Sequence, residues 1–199
     1  MTELDAQQEL AFIKKVMTDS RKILIDDGKG TIFWGLLISF GLLITYLSIA
    51  QKWEVSLGWF WPVLIGFGWI YTIFTERMYE RKRKVKTFAG KIMGAVWIGF
   101  GISATIVGFV GSITGAYNGV FISPLIAVLL GTGYLVSGLL YGKSWVSYLS
   151  IAWWGGAVVM FFMQNLETLL VMISMMILFQ VIPGIFLYRE FKKEKMVTA

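Results

Sequence analysis

The sequence predicts an all-α, polytopic bundle of six membrane-spanning helices, and three observations predict it. Hydrophobic residues fill 57% of the 199 positions and charged residues only 15%, against roughly 45–50% and about 25% in soluble domains. Six stretches, 31–50, 57–75, 92–114, 120–141, 145–163 and 168–188, contain no Asp, Glu, Lys or Arg. Each has the roughly 20 residues that a helix needs to cross ~30 Å of hydrocarbon. Finally, the charges excluded from those stretches are shared very unequally between the two sets of connections. A cytoplasmic segment with its linker (1–30), one transmembrane domain (31–188) and a basic tail (189–199) account for the chain.

Orientation follows from the basic residues, because Lys and Arg close to span ends are retained on the cytoplasmic side. The segment before the first span holds Lys14, Lys15, Arg21, Lys22 and Lys29, and the connection after the second holds seven more, including Arg81, Lys82, Arg83 and Lys84. Lys143 and the four basic residues of the tail complete 17 of the 18, leaving Lys52 for the other face. Six spans with both termini in the cytoplasm place all 17 on one side. The expected location is the cytoplasmic (inner) membrane. Most Trp and Tyr fall near span ends, at the headgroup level they favour, whereas Trp153 and Trp154 stand mid-span before Gly155-Gly156.

Taken in order, residues 2–25 read as an amphipathic helix with a capped start at Thr2-Glu3-Leu4-Asp5 and apolar Leu10, Ile13, Met17, Ile23 and Leu24 at helical spacing. A polar N-terminus whose first apolar run begins near residue 31 does not read as a signal peptide. The stripe suits a helix lying at the interface or docking into a partner's groove. Residues 1–30 hold six acids to five bases, which argues against a purely anionic-lipid anchor. The run Arg81-Lys82-Arg83-Lys84 is a topogenic signal that doubles as a candidate site for lipid headgroups or a partner.

Along the third and fourth spans, small residues recur every four positions: Ala95, Gly99 and Ser103; Ala104, Gly108 and Ser112; Ser123, Ala127 and Gly131. Such stripes let backbones approach closely, so these two helices are expected to form the packed centre. Paired glycines such as Gly99-Phe100-Gly101 follow no strand and are not nucleotide loops. In the fifth span, Trp153 and Trp154 either pack or line a pocket for a cationic or aromatic ligand. In the sixth, Gln180 precedes Pro183-Gly184, where the missing proline N–H predicts a kink with unpaired backbone groups. Gln180, Trp153, Trp154 and Tyr134 are the candidate ligand or pathway residues. Met160, Met163, Met172, Met175 and Met176 read as flexible apolar filler before they read as copper ligands.

The chain has no His and no Cys. Disulfides, His- or Cys-ligated metal and haem, and His-dependent triads are thereby excluded. The spans also lack the ionisable residue from which intramembrane proton relays and ion pathways are built. No enzyme activity and no cofactor are expected, and no nucleic-acid fold signature accompanies the basic charge.

Two regions carry a resemblance. They are Glu9-Leu10 with Ile13-Lys14-Lys15-Val16-Met17 and Ser20-Arg21-Lys22, and the stretch from Gly131-Thr132-Gly133-Tyr134 to Phe179-Gln180-Val181-Ile182-Pro183-Gly184 and Tyr188-Arg189-Glu190. Together they resemble an uncharacterised family of small six-span bacterial integral membrane proteins with an N-terminal amphipathic helix. The family carries a His near the position of Gln180, where this chain departs. The resemblance implies a regulatory partner, because such proteins are often encoded beside winged-helix regulators, and it implies no activity.

The sequence thus predicts a non-enzymatic membrane protein that meets the lipid bilayer and a cytoplasmic protein partner through its N-terminal helix and basic connection. The competing reading is a small permease or channel for a neutral or lipophilic solute. Homo-oligomers are compatible with either, since small-residue stripes serve packing within and between chains.

Overall fold

The computed structural model describes residues 27–82 and 88–197. The amphipathic segment 2–25, Arg83 and Lys84 lie outside the described residues. Among those described, every regular element is helical, and six helices are long and apolar enough to cross a membrane. They are α1 (Lys29–Ala50), α2 (Leu57–Met78), α3 (Phe88–Ile113), α4 (Gly119–Tyr141), α5 (Ser144–Met163) and α6 (Thr168–Lys193). The helix of α2 continues to Lys82, so Arg81 and Lys82 close its last turn.

The tightest join is between α4 and α5. Gly142 takes the left-handed conformation (φ 66°), its N–H donating to the Leu139 carbonyl at 3.2 Å while that of Lys143 donates to the Gly138 carbonyl at 3.0 Å. This pair of bonds is the Schellman closure that a glycine just past a helix end permits. The two helices leave it antiparallel and in contact. Gly138 faces the start of α5 so closely that a Cβ there would stand 2.8 Å from the Ser147 Cα.

The buried core belongs to α4, α5, α6 and α1. Leu130, Trp153, Met160 and Met172 are almost wholly enclosed, and Leu42 reaches them from α1. Helix α1 crosses α6 on glycines. The Gly35 Cβ position lies 2.7 Å from the Val181 Cγ2, and that of Gly184 lies 3.1 Å from the Ile32 backbone nitrogen.

The small-residue stripes divide. On α4, Ser123, Ala127 and Gly131 are buried. On α3, no residue from 88 to 110 is buried; Ala95, Gly99 and Ser112 are exposed, and Ser103, Ala104 and Gly108 are half-buried. Gly99 and Gly108 face open space. The expectation that α3 and α4 form the packed centre is therefore corrected to α4 with α5, α6 and α1. A stripe fixes which face is small, and only the neighbour's position decides whether that face is used.

The outer helices α2 and α3 are held by tryptophans seated on glycines. Trp34 of α1 lies over Gly68 of α2 and donates its indole N–H to the Thr72 hydroxyl at 2.9 Å. In return, Trp61 of α2 lies over Gly41 of α1 and donates to the Thr45 hydroxyl at 3.1 Å. Each threonine passes its own proton to the carbonyl of the glycine four residues earlier. The same Gly-x-x-x-Thr spacing recurs at Gly101 and Thr105 of α3, where Trp69 covers the glycine. With little hydrophobic drive between helices in lipid, close packing and such bonds are what hold them. Gly68→Ala is accordingly expected to lose about 1–3 kcal/mol by displacing the Trp34 ring, while Gly99→Ala should stay within ~0.5 kcal/mol of the parent. Thermal unfolding of both variants in one detergent checks the contrast.

Candidate functional site

The centre of interest is a widened turn in α6. Residues Ile177–Val181 are π-helical, and the Ile182 N–H reaches back to the Ile177 carbonyl. Pro183 explains this turn: its ring would clash with the carbonyl four residues earlier, and one added residue in the turn moves that carbonyl aside. In the same register, an amide at 183 would have served the Leu178 carbonyl, and proline has no proton to give.

Gln180 sits inside this turn and is 5% exposed. Its Cγ packs beside Gly35, 3.3 Å from where a Cβ would stand, and its Nε2 donates to the Thr31 carbonyl of α1 at 3.4 Å. Its Oε1 is buried with no protein hydrogen bond. The neighbouring Phe179 contacts Trp153 edge-on, with ring centroids 6.1 Å apart. Trp153 in turn stacks on Tyr134 at 5.9 Å, and Tyr134 meets Trp97 at 6.0 Å. One line of aromatic rings therefore runs from α3 through α4 and α5 to the π-turn.

Trp153 is 0% exposed, and its indole nitrogen also lacks a protein acceptor. Trp154, about 100° further round the same helix, points elsewhere. It lies half-buried over Gly131 and donates to the Val128 carbonyl of α4 at 3.2 Å. Gln180, Trp153 and Tyr134 thus share the core, whereas Trp154 clamps α5 to α4. The buried hydroxyls of Ser39 and Thr168 are unpaired as well. Ser39 lies one turn from Gly35 and on the same face of α1, so a stripe read through Gly35 and Ser39 would have found it.

At the basic end of the bundle, Lys143 of the α4–α5 turn forms an ion pair with Glu190 at the close of α6. Lys29 lies 5.8 Å from the Tyr188 ring centre and pairs with Asp27 at 3.6 Å. These contacts bring three chain segments together on the face that bears most of the charge. Arg81 and Lys82 end the helix of α2. The pairing of Lys143 with Glu190, 47 residues apart, carries no sequence signal.

No group of three or more His, Cys, Asp or Glu stands together among the described residues. Met160, Met172, Met175 and Met176 are buried, and the Met175 side chain fills the space left by Gly156. The buried polar side chains Gln180, Trp153, Ser39 and Thr168 are all neutral, and they include no acid or base. No family model, curated protein or solved structure matches the chain.

Proposed function

We propose that this is a non-enzymatic protein of the cytoplasmic membrane, with both termini inside, that acts in regulation or sensing through its cytoplasmic face. The observation that carries the reading is the partition of charge around a filled core. Seventeen of 18 basic residues fall on the side assigned to the cytoplasm. The middle of the bundle is occupied by Leu130, Trp153, Met172 and Met175, all at most 4% exposed. A bundle closed by large side chains favours action at its surface over passage through its centre. The contact between the α4–α5 turn and the end of α6 supports the same reading, since it joins the core helices on that face. The amphipathic segment 2–25 and the basic run at 81–84 are the elements assigned to a cytoplasmic partner or to lipid headgroups.

Deleting residues 2–25 tests the proposal in the otherwise intact chain. The deletion is expected to abolish co-purification of the cytoplasmic partner while leaving membrane insertion intact, and undiminished recovery overturns the assignment. Proteoliposomes supply the second arm. Uptake of neutral solutes should match empty vesicles, and an uptake that falls in Gln180→Leu would move the reading to a permease. The absence of Cys from the chain makes orientation equally direct to measure. A single Cys at Lys52 should react with an impermeant maleimide from outside, and one at Lys193 should not.

A further inference from the structure

We propose that the chain's own segment 2–25 docks on the projecting end of α6, over Tyr188, Phe191, Lys192 and Met196. That surface exists because the helix outlasts its span. It continues to Val197, nine residues and about 13 Å past the end of the charge-free run at 188. Tyr188, Lys192 and Met196 follow one another at four-residue spacing, with Phe191 three residues from Tyr188, and such positions are neighbours on a helix surface. Tyr188 and Met196 are 37% and 65% exposed, Lys192 is exposed and Phe191 half-buried. Apolar surface therefore stays open on a stretch that also carries four bases.

Where the segment ends is fixed at the root of this surface. Gly28 takes the left-handed conformation (φ 68°) directly against α6, and a Cβ there would stand 3.0 Å from the Tyr188 backbone nitrogen and closer still to the Gly184 carbonyl. The Asp27 side chain is only 14% exposed and pairs with Lys29, which lies against the Tyr188 ring. Two residues thus join position 25 to a glycine held against α6. A tether that short keeps the segment at a local concentration in the roughly millimolar range beside the projecting end, so modest contacts suffice to seat it.

Charge selects this occupant. Residues 1–27 carry six acids and four bases, whereas 189–199 carry four bases and two acids, and one of those acids, Glu190, is engaged with Lys143 of the α4–α5 turn. Anionic headgroups favour basic segments and repel an acidic excess, while the end of α6 attracts it. Leu10, Ile13, Met17, Ile23 and Leu24 of the segment supply apolar surface to match Phe191 and Met196. The anchorage at Tyr188 favours this site over the basic connection after α2. The docking goes beyond the proposed partner binding because it belongs to the chain alone, and a partner taking 2–25 would compete with it.

The test uses the full chain, free of native Cys, in nanodiscs of phosphatidylcholine with and without phosphatidylglycerol. Ser20→Cys and Met196→Cys, eight residues before Gly28 and eight after Tyr188, are treated together with a short bismaleimide. An intramolecular cross-link is expected in both lipids, in higher yield than from Ser20→Cys with Lys82→Cys at the end of α2. Reversing charge with Lys192→Glu and Lys193→Glu should lower that yield roughly threefold, the scale on which surface ion pairs act. A higher yield at Lys82 overturns the proposal in favour of the connection after α2, a dimeric product overturns it in favour of a second copy, and no cross-link from either pair overturns it in favour of the bilayer. A yield unmoved by the charge reversal overturns it too. Met196→Cys alone gives an independent reading with a monofunctional maleimide: deleting 2–25 should raise its reactivity by a similar factor, and an unchanged rate overturns the docking. The purified chain holds no partner, so these outcomes stand apart from partner recovery in the deletion variant.

Discussion

Gly138→Val is expected to destabilise the bundle by about 3 kcal/mol, at the upper end of what overpacking costs. The reason is what the added carbons would meet. At Gly138 the obstacle is backbone, with the Ser147 Cα 2.8 Å from the Cβ position and the Ser147 amide nitrogen closer still. A side chain can swing aside, but the first turn of α5 cannot move without opening the closure at Gly142 that sets the angle of the α4–α5 hairpin. Thermal unfolding in a fixed detergent or lipid nanodisc measures the loss. Gly94→Val in α3, whose Cβ position meets nothing within 4 Å, is the matched control and should unfold within a few degrees of the parent. Equal losses in the two variants would contradict the assignment of the core to α4, α5, α6 and α1.

Trp153→Ala is expected to cost ~3–5 kcal/mol, the range for removing a large buried aromatic. The ring is 0% exposed and touches Tyr134 on one side and Phe179 on the other, so its removal breaks the aromatic line between α4 and α6. In a bilayer the loss is one of dispersion contacts and packing, since lipid offers no hydrophobic drive to hold the helices together. Trp153→Phe keeps most of the ring contact and should recover more than half of the stability lost in the alanine variant. Trp154→Ala provides the contrast. That ring is half-buried on the side of α4, and its removal should cost less than half as much as that of Trp153.

Much of the fold is legible in the chain because lipid leaves few choices. Six charge-free runs of about 20 residues each must satisfy their own backbone hydrogen bonds, which makes each a helix. The described helices α1, α4 and α5 begin and end within two residues of the apolar runs. The widened turn in α6 follows from Pro183, and Gln180 draws attention as the one amide side chain of that span. The site is less legible. Consecutive Trp153 and Trp154 look equivalent in a list, yet helix geometry turns one into the core and the other into a clamp against Gly131. The stripes on α3 and α4 have the same spacing, but only that on α4 is buried.

The reciprocal seating of Trp34 on Gly68 and of Trp61 on Gly41 lies further from the sequence, because each pairing joins residues of two different helices. A Gly-x-x-x-Thr spacing offers a flat patch with a hydroxyl at its edge. Nothing in the spacing says which indole will occupy it.

By itself the sequence determined the helices, their number and the segregation of charge, because these depend on the transfer of each segment from water to lipid, a property of the segment alone. The tertiary structure decided which faces of those helices meet, which of two adjacent tryptophans is buried, and that Gln180 turns to α1 while its neighbour Phe179 meets Trp153. Those outcomes depend on how helices dock. Docking is settled by the fit of rings, glycines and hydrogen bonds between segments far apart in the chain, where many pairings bury similar area and only the complete set of contacts selects one.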